Sequence, residues 1–184
     1  MASGWSRIAR RIRVPLGFVF AAFFLWRARP TSALLALSLL LVVPGLWLRG
    51  YASGYVKKNA EITMTGPYAF TRNPLYLGSM LIAFGFALAS HSLWIAISLA
   101  VLFAVIYIPV IRSEETYLRA KFADYEAYAA RVPRLIPRPR PMPAHNGDGG
   151  GFSATLYRKH REYNALMGAA AIYAALILKF FFWR

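Results

Sequence analysis

Apolar residues in this chain fall into long blocks separated by polar and basic runs, the distribution of membrane spans and not of a soluble core. From Leu75 to Ile111 the chain runs 37 residues without an Asp, Glu, Lys or Arg. As a helix that is about 55 Å, roughly twice the thickness of a bilayer core, so the run predicts two helices. The polar cluster Ser90-His91-Ser92 lies near its middle and is the natural turn, because backbone leaving a helix must find water or protein partners. Thr31 to Leu48 predicts another span, interrupted mildly by Pro44 and Gly45. Val14 to Trp26 is shorter and crosses only if Arg13 and Arg27 snorkel. Ala165 to Trp183 closes on Phe180, Phe181, Phe182 and Trp183, the aromatic belt expected at an interface.

A polar, aromatic and basic run, Gly66 to Gly78, abuts the start of the long apolar segment, and Arg112-Ser113-Glu114-Glu115 sits at its end. A hairpin returns both runs to the same membrane face. Beyond them Leu118, Phe122, Tyr125, Ala129 and Val132 recur at helical spacing as one apolar stripe, with Arg119, Lys121, Asp124 and Glu126 off it. That pattern predicts an amphipathic interfacial helix ending near Pro133. The fold class expected is all-α: a polytopic helical membrane protein of about five transmembrane helices plus this interfacial helix. Four segments follow: an amino-terminal hairpin (1–50), a core (51–138), a Pro/Gly linker (139–151), and a basic segment with a final span (152–184).

Charge supports this organisation. The formal net charge is +15 from 22 basic and 7 acidic residues, which in a soluble protein would suggest nucleic acid. Five spans with the amino terminus in the cytoplasm leave only Arg27, Arg29, Lys179 and Arg184 on the outer side, the asymmetry of the positive-inside rule. The charge is then topological, its partners are anionic lipid headgroups, and nucleic acid is not expected. Arg7, Arg10, Arg11 and Arg13 before a short apolar stretch also look like the start of a secretory signal, but no small-residue cleavage site follows and another span begins at Thr31. The expected location is a bacterial or archaeal inner membrane, amino terminus inside and carboxy terminus outside. Small and aromatic residues occur on every span, so the pattern selects no oligomeric state.

The absence of cysteine excludes disulfides, thiolate metal sites and a cysteine nucleophile. His91, His145 and His160 lie in three different kinds of segment and make no ligand set, so no metal is expected. There is no G-x-S-x-G elbow and no phosphate-binding glycine loop. Scarcity makes the remaining carboxylates informative. Locally, Ser113 could cap a new helix with Glu114 and Glu115 in its first turn, or the pair could face a ligand. Tyr117, Tyr125 and Tyr128 suit interface anchoring as well as ligand contact. Arg72-Asn73-Pro74 could simply open a helix, with Pro74 at its first position. Gly66 and Gly78 could serve a turn and a close helix approach.

Taken together, three linked motifs resemble the membrane methyltransferase group that includes isoprenylcysteine carboxyl methyltransferase and the phospholipid (phosphatidylethanolamine) methyltransferases. They are G-P-Y-x-x-x-R-N-P-x-Y-x-G at 66–78, E-E-x-x-L at 114–118, and F-x-x-Y-x-x-Y-x-x-x-V-P-R-x-I-P from Phe122 to Pro137. The resemblance covers about residues 60–137. It implies S-adenosylmethionine as cofactor, bound at the cytoplasmic side, and methyl transfer to a lipid-borne or lipophilic carboxylate or amine reached from the bilayer. It further implies a cofactor pocket of Tyr68, Arg72, Asn73, Tyr76, Gly78, Glu114, Glu115, Tyr125 and Tyr128, with Arg72, Glu114 and Glu115 catalytic and Arg131 and Arg134 toward the substrate. Many members of the group carry histidine where this chain has Asn73, which hydrogen-bonds but does not titrate near neutral pH. A non-catalytic lipid-binding or scaffold protein derived from the group is the alternative.

Overall fold

The computed structural model describes residues 19–57, 61–143 and 151–182. The arginines from Arg7 to Arg13, the start of the Val14–Trp26 span, Lys58, His145, the glycine run from Asn146 to Gly150, Trp183 and Arg184 lie outside the described residues. Every regular element among those described is helical. The elements are α1 (described over 19–27), α2 (Ser32–Ser53), a 3-10 turn (Gly66–Ala69), α3 (Pro74–Ala89), α4 (Leu93–Leu102), a π-helical segment (Phe103–Tyr107), α5 (Ile108–Lys121), α6 (Tyr125–Arg131), α7 (Ala154–His160) and α8 (Tyr163–Phe182).

Among the described residues three helices are long and apolar enough to cross a membrane: Ser32–Ser53, the continuous Leu93–Lys121 and Tyr163–Phe182. The helix Pro74–Ala89 is apolar but shorter, and α1 is seen only from residue 19. Thr31 starts α2 as expected, its Oγ1 accepting from Leu34 N at 3.3 Å. The hairpin turns where the polar cluster predicts: Ser90 Oγ donates to Ala87 O, and His91 takes a positive φ of 50°. On that face Arg29 N bonds Ser90 O, and Lys179 Nζ reaches the carbonyls of Leu25 and Trp26.

The most extensive helix–helix contact among the described residues is between α2 and α3, and glycine permits it. A Cβ on Gly45 would lie 2.8 Å from Gly78 O, and one on Gly78 would lie 2.8 Å from Gly45 O and 2.7 Å from Arg49 Cγ. One turn pair further, Gly85 faces Val42 and Ser38. Within a bilayer, where apolar burial does not drive helices together, such close backbone approach supplies the packing. Around it Phe24, Val42, Phe86, Ile95 and Leu176 form one core. Tyr173 of α8 joins that core by a hydroxyl contact to Ser38 at 2.7 Å and a ring contact to Phe86 at 5.0 Å.

One alternative left open by the sequence falls away, and one expectation needs correction. Ser113 caps nothing: Glu114 and Glu115 sit inside α5, which continues the spanning helix, because no glycine or proline interrupts Ile111 to Lys121. Pro109 is tolerated at the start of α5 because the preceding π turn, Phe103–Tyr107, already departs from the regular bonding pattern. The expected single interfacial helix is also broken. Phe122 turns to extended geometry (φ −126°, ψ 120°), and α6 starts three residues later. The apolar stripe still packs as one cluster, with Tyr125, Tyr128 and Val132 buried and Leu118, Phe122 and Ala129 against them.

Adding a methyl at the crossing tests its tightness. Gly78→Ala should lower stability by about 1–3 kcal/mol, as overpacking does, measured by thermal unfolding of the detergent-purified protein. Gly168→Ala, inside α8 where a Cβ meets nothing within 4 Å, should not lower it and should raise it by at most about 1 kcal/mol.

Candidate active site

Proline and glycine bring the first motif into position. Gly66 has a φ of +59°, and a Cβ there would meet the Tyr55 ring at 2.6 Å, so this turn requires glycine. Pro74 opens α3, as its fixed φ favours. Between them, residues 69–73 are strapped to the segment after α6. Arg72 N bonds Pro133 O, Arg138 N bonds Phe70 O and Met142 N bonds Ala69 O. Buried Thr71 donates through Oγ1 to the carbonyls of Leu135 (3.0 Å) and Arg134 (3.3 Å), and Asn73 Nδ2 donates to Arg134 O at 2.8 Å. The first proline-rich residues of the linker are thus docked on the core, with Met142 buried.

Glu115 is the centre of the site. It is 5% exposed and takes two bonds from Arg134, Nε to Oε1 at 3.0 Å and Nη2 to Oε2 at 2.8 Å. Arg72 Nη1 lies 3.3 Å from Oε1 and donates at 3.4 Å to the hydroxyl of Tyr125, which is 1% exposed. One carboxylate thus holds two guanidinium groups, and a buried Arg72 Nε has no partner. The cluster has a surplus positive charge and a spare donor, the arrangement that accepts a second carboxylate.

The other expected residues distribute unevenly around this centre. Glu114 is exposed, because neighbours on a helix point about 100° apart and Glu115 takes the inward direction. Tyr128 is buried and donates to Tyr68 O at 2.8 Å, holding the 3-10 turn to α6. Burial raises the Tyr68 phenol strongly, helped by Tyr128, Glu114 and Glu162, and burial likewise raises Tyr128. Tyr125 is raised by burial and lowered by its bond from Arg72, with the net shift upward, while the Glu115 bonds raise Arg134. Tyr76 stands edge-on to Tyr107 of the π segment at 5.6 Å, and Tyr107 stacks on Phe103 at 4.7 Å. Gly78 lies at the α2–α3 crossing, its open side filled by Gly45 and Arg49. Arg131 is exposed, and its carbonyl accepts from Arg138.

A second polar knot was not anticipated. Arg49 of α2 pairs with Glu162 at 2.8 Å and also donates to Ser79 Oγ and to Leu75 O. It therefore links α2, the first turns of α3 and the tail. A charge close to the end of an apolar span and a rare acid in the tail were the available signals.

The chain belongs to the phospholipid methyltransferase family, which it matches over residues 26–125. That stretch includes Arg72, Glu114, Glu115 and Tyr125 and ends before Arg134. The chain is 38% identical over 112 residues to the nickel-cobalt-cadmium resistance protein NccN of Alcaligenes xylosoxydans xylosoxydans, covering 59% of this chain and 52% of that protein. It is 35% identical over 135 residues to the cobalt-zinc-cadmium resistance protein CzcN of Cupriavidus metallidurans, covering 68% and 62%. The chain thus spans between half and two thirds of the length of these curated relatives. No solved structure matches it. Among the described residues no three His, Cys, Asp or Glu side chains group as a metal site.

Removing the central carboxylate leaves Arg72 buried without its counter-ion. Glu115→Gln should cost about 2–3 kcal/mol in thermal unfolding, less than a fully buried pair because half-exposed Arg134 stays solvated. Exposed Glu114→Gln should cost no more than about 0.5 kcal/mol.

The buried phenols predict an alkaline limit. Tyr68 and Tyr128 are raised above the ordinary 10.0, so their stabilisation is complete below about pH 10 and is lost as pH rises beyond it. Circular dichroism across that range should show unfolding, with a shallower pH dependence in Tyr128→Phe.

Proposed function

We propose that this protein transfers a methyl group from S-adenosylmethionine to a lipid-borne or lipophilic acceptor at the cytoplasmic membrane face. The observation that carries this reading is the junction at Glu115. It draws the first motif (Arg72), the glutamate pair and the post-helix segment (Tyr125, Arg134) into one buried cluster. Family membership supplies the reaction class.

S-adenosylmethionine, when bound, supplies an electrophilic methyl on a sulfonium. The residues present suit it. The surplus positive charge and the spare Nε of Arg72 fit its carboxylate. Glu114, exposed and one position from buried Glu115 on α5, suits its hydroxyls or amino group. The Tyr76 ring, on α3 within the first motif, offers aromatic surface to a cation. Displacement at a sulfonium consumes positive charge, so the protein's task is chiefly to hold donor and nucleophile in line and exclude water. An amine acceptor loses its proton to a carboxylate, for which Glu114 is accessible; a carboxylate acceptor needs no base and is oriented by Arg131 or Arg134. Asn73, fixed by Arg134 O, positions the strap and takes no proton.

The metal-resistance names of the two relatives fit this chemistry if resistance comes from altering membrane lipids and not from holding the ion. One observation favours a non-catalytic lipid-binding scaffold instead: both oxygens of Glu115 are already engaged by Arg134.

Calorimetric titration of the purified protein with S-adenosylmethionine and its demethylated product separates the two. Micromolar binding is expected, weakened at least about tenfold in Arg72→Lys by loss of a charge-assisted bond. Labelled-methyl transfer to phosphatidylethanolamine and to an isoprenylated peptide then identifies the acceptor. Folded wild-type protein that binds neither cofactor form would refute the enzymatic reading.

A further inference from the structure

The tail beyond residue 151 builds a concavity that the ion cluster does not use. Between the second half of α2 and the corner of α7 and α8 lies a groove of about 470 Å³, lined by Val43, Trp47, Tyr51, Phe152, Leu166 and, as its charged wall, Glu162. That volume lies within the range of small-molecule sites.

Specific contacts hold the groove open. Trp47 and Tyr51 stack at 5.1 Å, and Tyr51 and Phe152 stack at 6.0 Å, so three rings form one continuous wall. Phe152 sits so close over the end of α2 that a Cβ on Gly54 would lie 2.3 Å from its ring, and Ser153 N bonds Gly54 O. Leu166 of α8 forms the facing wall at 57% exposure, with Val43 at 55% and Trp47 at 65% across from it. These residues belong to two helices of membrane-spanning length and hydropathy, so bilayer hydrocarbon is what meets them.

One wall of the groove is chemically different. Glu162 is held by Arg49, which neutralises it and reaches Leu75 O and Ser79 in the first turns of α3, just past Asn73 and Pro74. The groove is therefore open to lipid along its apolar walls and is joined through Arg49 to the first turns of α3.

We propose that this groove receives the hydrocarbon chain of the methyl acceptor, making the tail part of the acceptor site. The assignment rests on the methyltransferase reading for what the chain carries. Apolar walls, a neutralised single charge and an opening onto bilayer select an acyl or isoprenoid chain over a soluble ligand.

Photolabelling tests it on the whole protein. The protein is reconstituted in vesicles of phosphatidylethanolamine and phosphatidylglycerol containing a trace of phosphatidylethanolamine with a diazirine midway along one chain. Adducts are mapped by mass spectrometry after irradiation. They should concentrate on residues 43–51 and 157–166 over the equally lipid-facing Leu93 and Trp94 of α4. Leu166→Trp and Val43→Trp, which fill the groove from opposite walls, should cut these adducts and raise KM for the phospholipid, each about tenfold, with cofactor affinity and kcat unchanged. Even labelling around the bundle, unmoved by either variant, overturns the groove assignment. Labelling is read without cofactor, so wild-type protein that labels in the groove and binds no cofactor refutes the methyltransferase reading instead.

Discussion

One buried carboxylate organises the functional face of this protein. Glu115 arrives on the end of a spanning helix, Arg72 on the loop that opens α3, and Arg134 on the extended segment after α6. A small apolar cluster of Ala69, Tyr125, Tyr128, Val132 and Met142 packs these segments together, but apolar packing is not directional, and at the membrane surface water competes for every polar group. A single desolvated ion pair with two cations is directional enough to fix all three, and it explains why the surrounding backbone is tied so densely. The carbonyls of Pro133, Arg134 and Leu135 are all taken by the loop carrying Arg72. The arrangement is costly in desolvation and conveys specificity of position more than stability.

The bundle beneath uses a different principle. The α2–α3 contact depends on missing side chains, with Gly45 and Gly78 letting two backbones meet, and Arg49 fills the space just below that contact. The polar knot of Arg49, Ser79 and Glu162 is then the counterpart of the Glu115 cluster on the other side of the first motif. Between the two knots the Gly66–Ala69 turn and the start of α3 are held from both sides. The tail, which lies beyond the stretch matched to the family, contributes one of the two holds.

Much of this was legible in the residue pattern, and its gaps have physical causes. Block hydropathy located α2, the turn at His91 and α8, since burial in lipid leaves composition little freedom. The motifs placed Arg72, Glu115 and Tyr125 together because that resemblance is tied to linked spacings. Periodicity, however, reports faces and not continuity. It found the stripe from Leu118 to Val132 but could not see that Phe122 leaves the helix, because the same side chains pack together either way. It also gave no means of telling Glu114 from Glu115, which differ only by the phase of the helix that carries them. Arg49 and Glu162 escaped notice because their partnership spans 113 residues and neither stands in a motif.

That phase is set far from the carboxylate. The π turn at Phe103–Tyr107 holds one residue more than a regular turn would, so it works as an angular offset inserted into an otherwise continuous rod. Everything downstream, Glu115 included, is rotated by the equivalent of one residue, about 100°, relative to the helix as it enters at Leu93. Relaxation of this lipid-facing turn to regular winding at unchanged length would exchange which of the two adjacent glutamates looks inward, whereas loss of one residue together with the bulge would leave Glu115 in place. The winding of an apolar segment with no catalytic side chain thus encodes the choice of the central carboxylate.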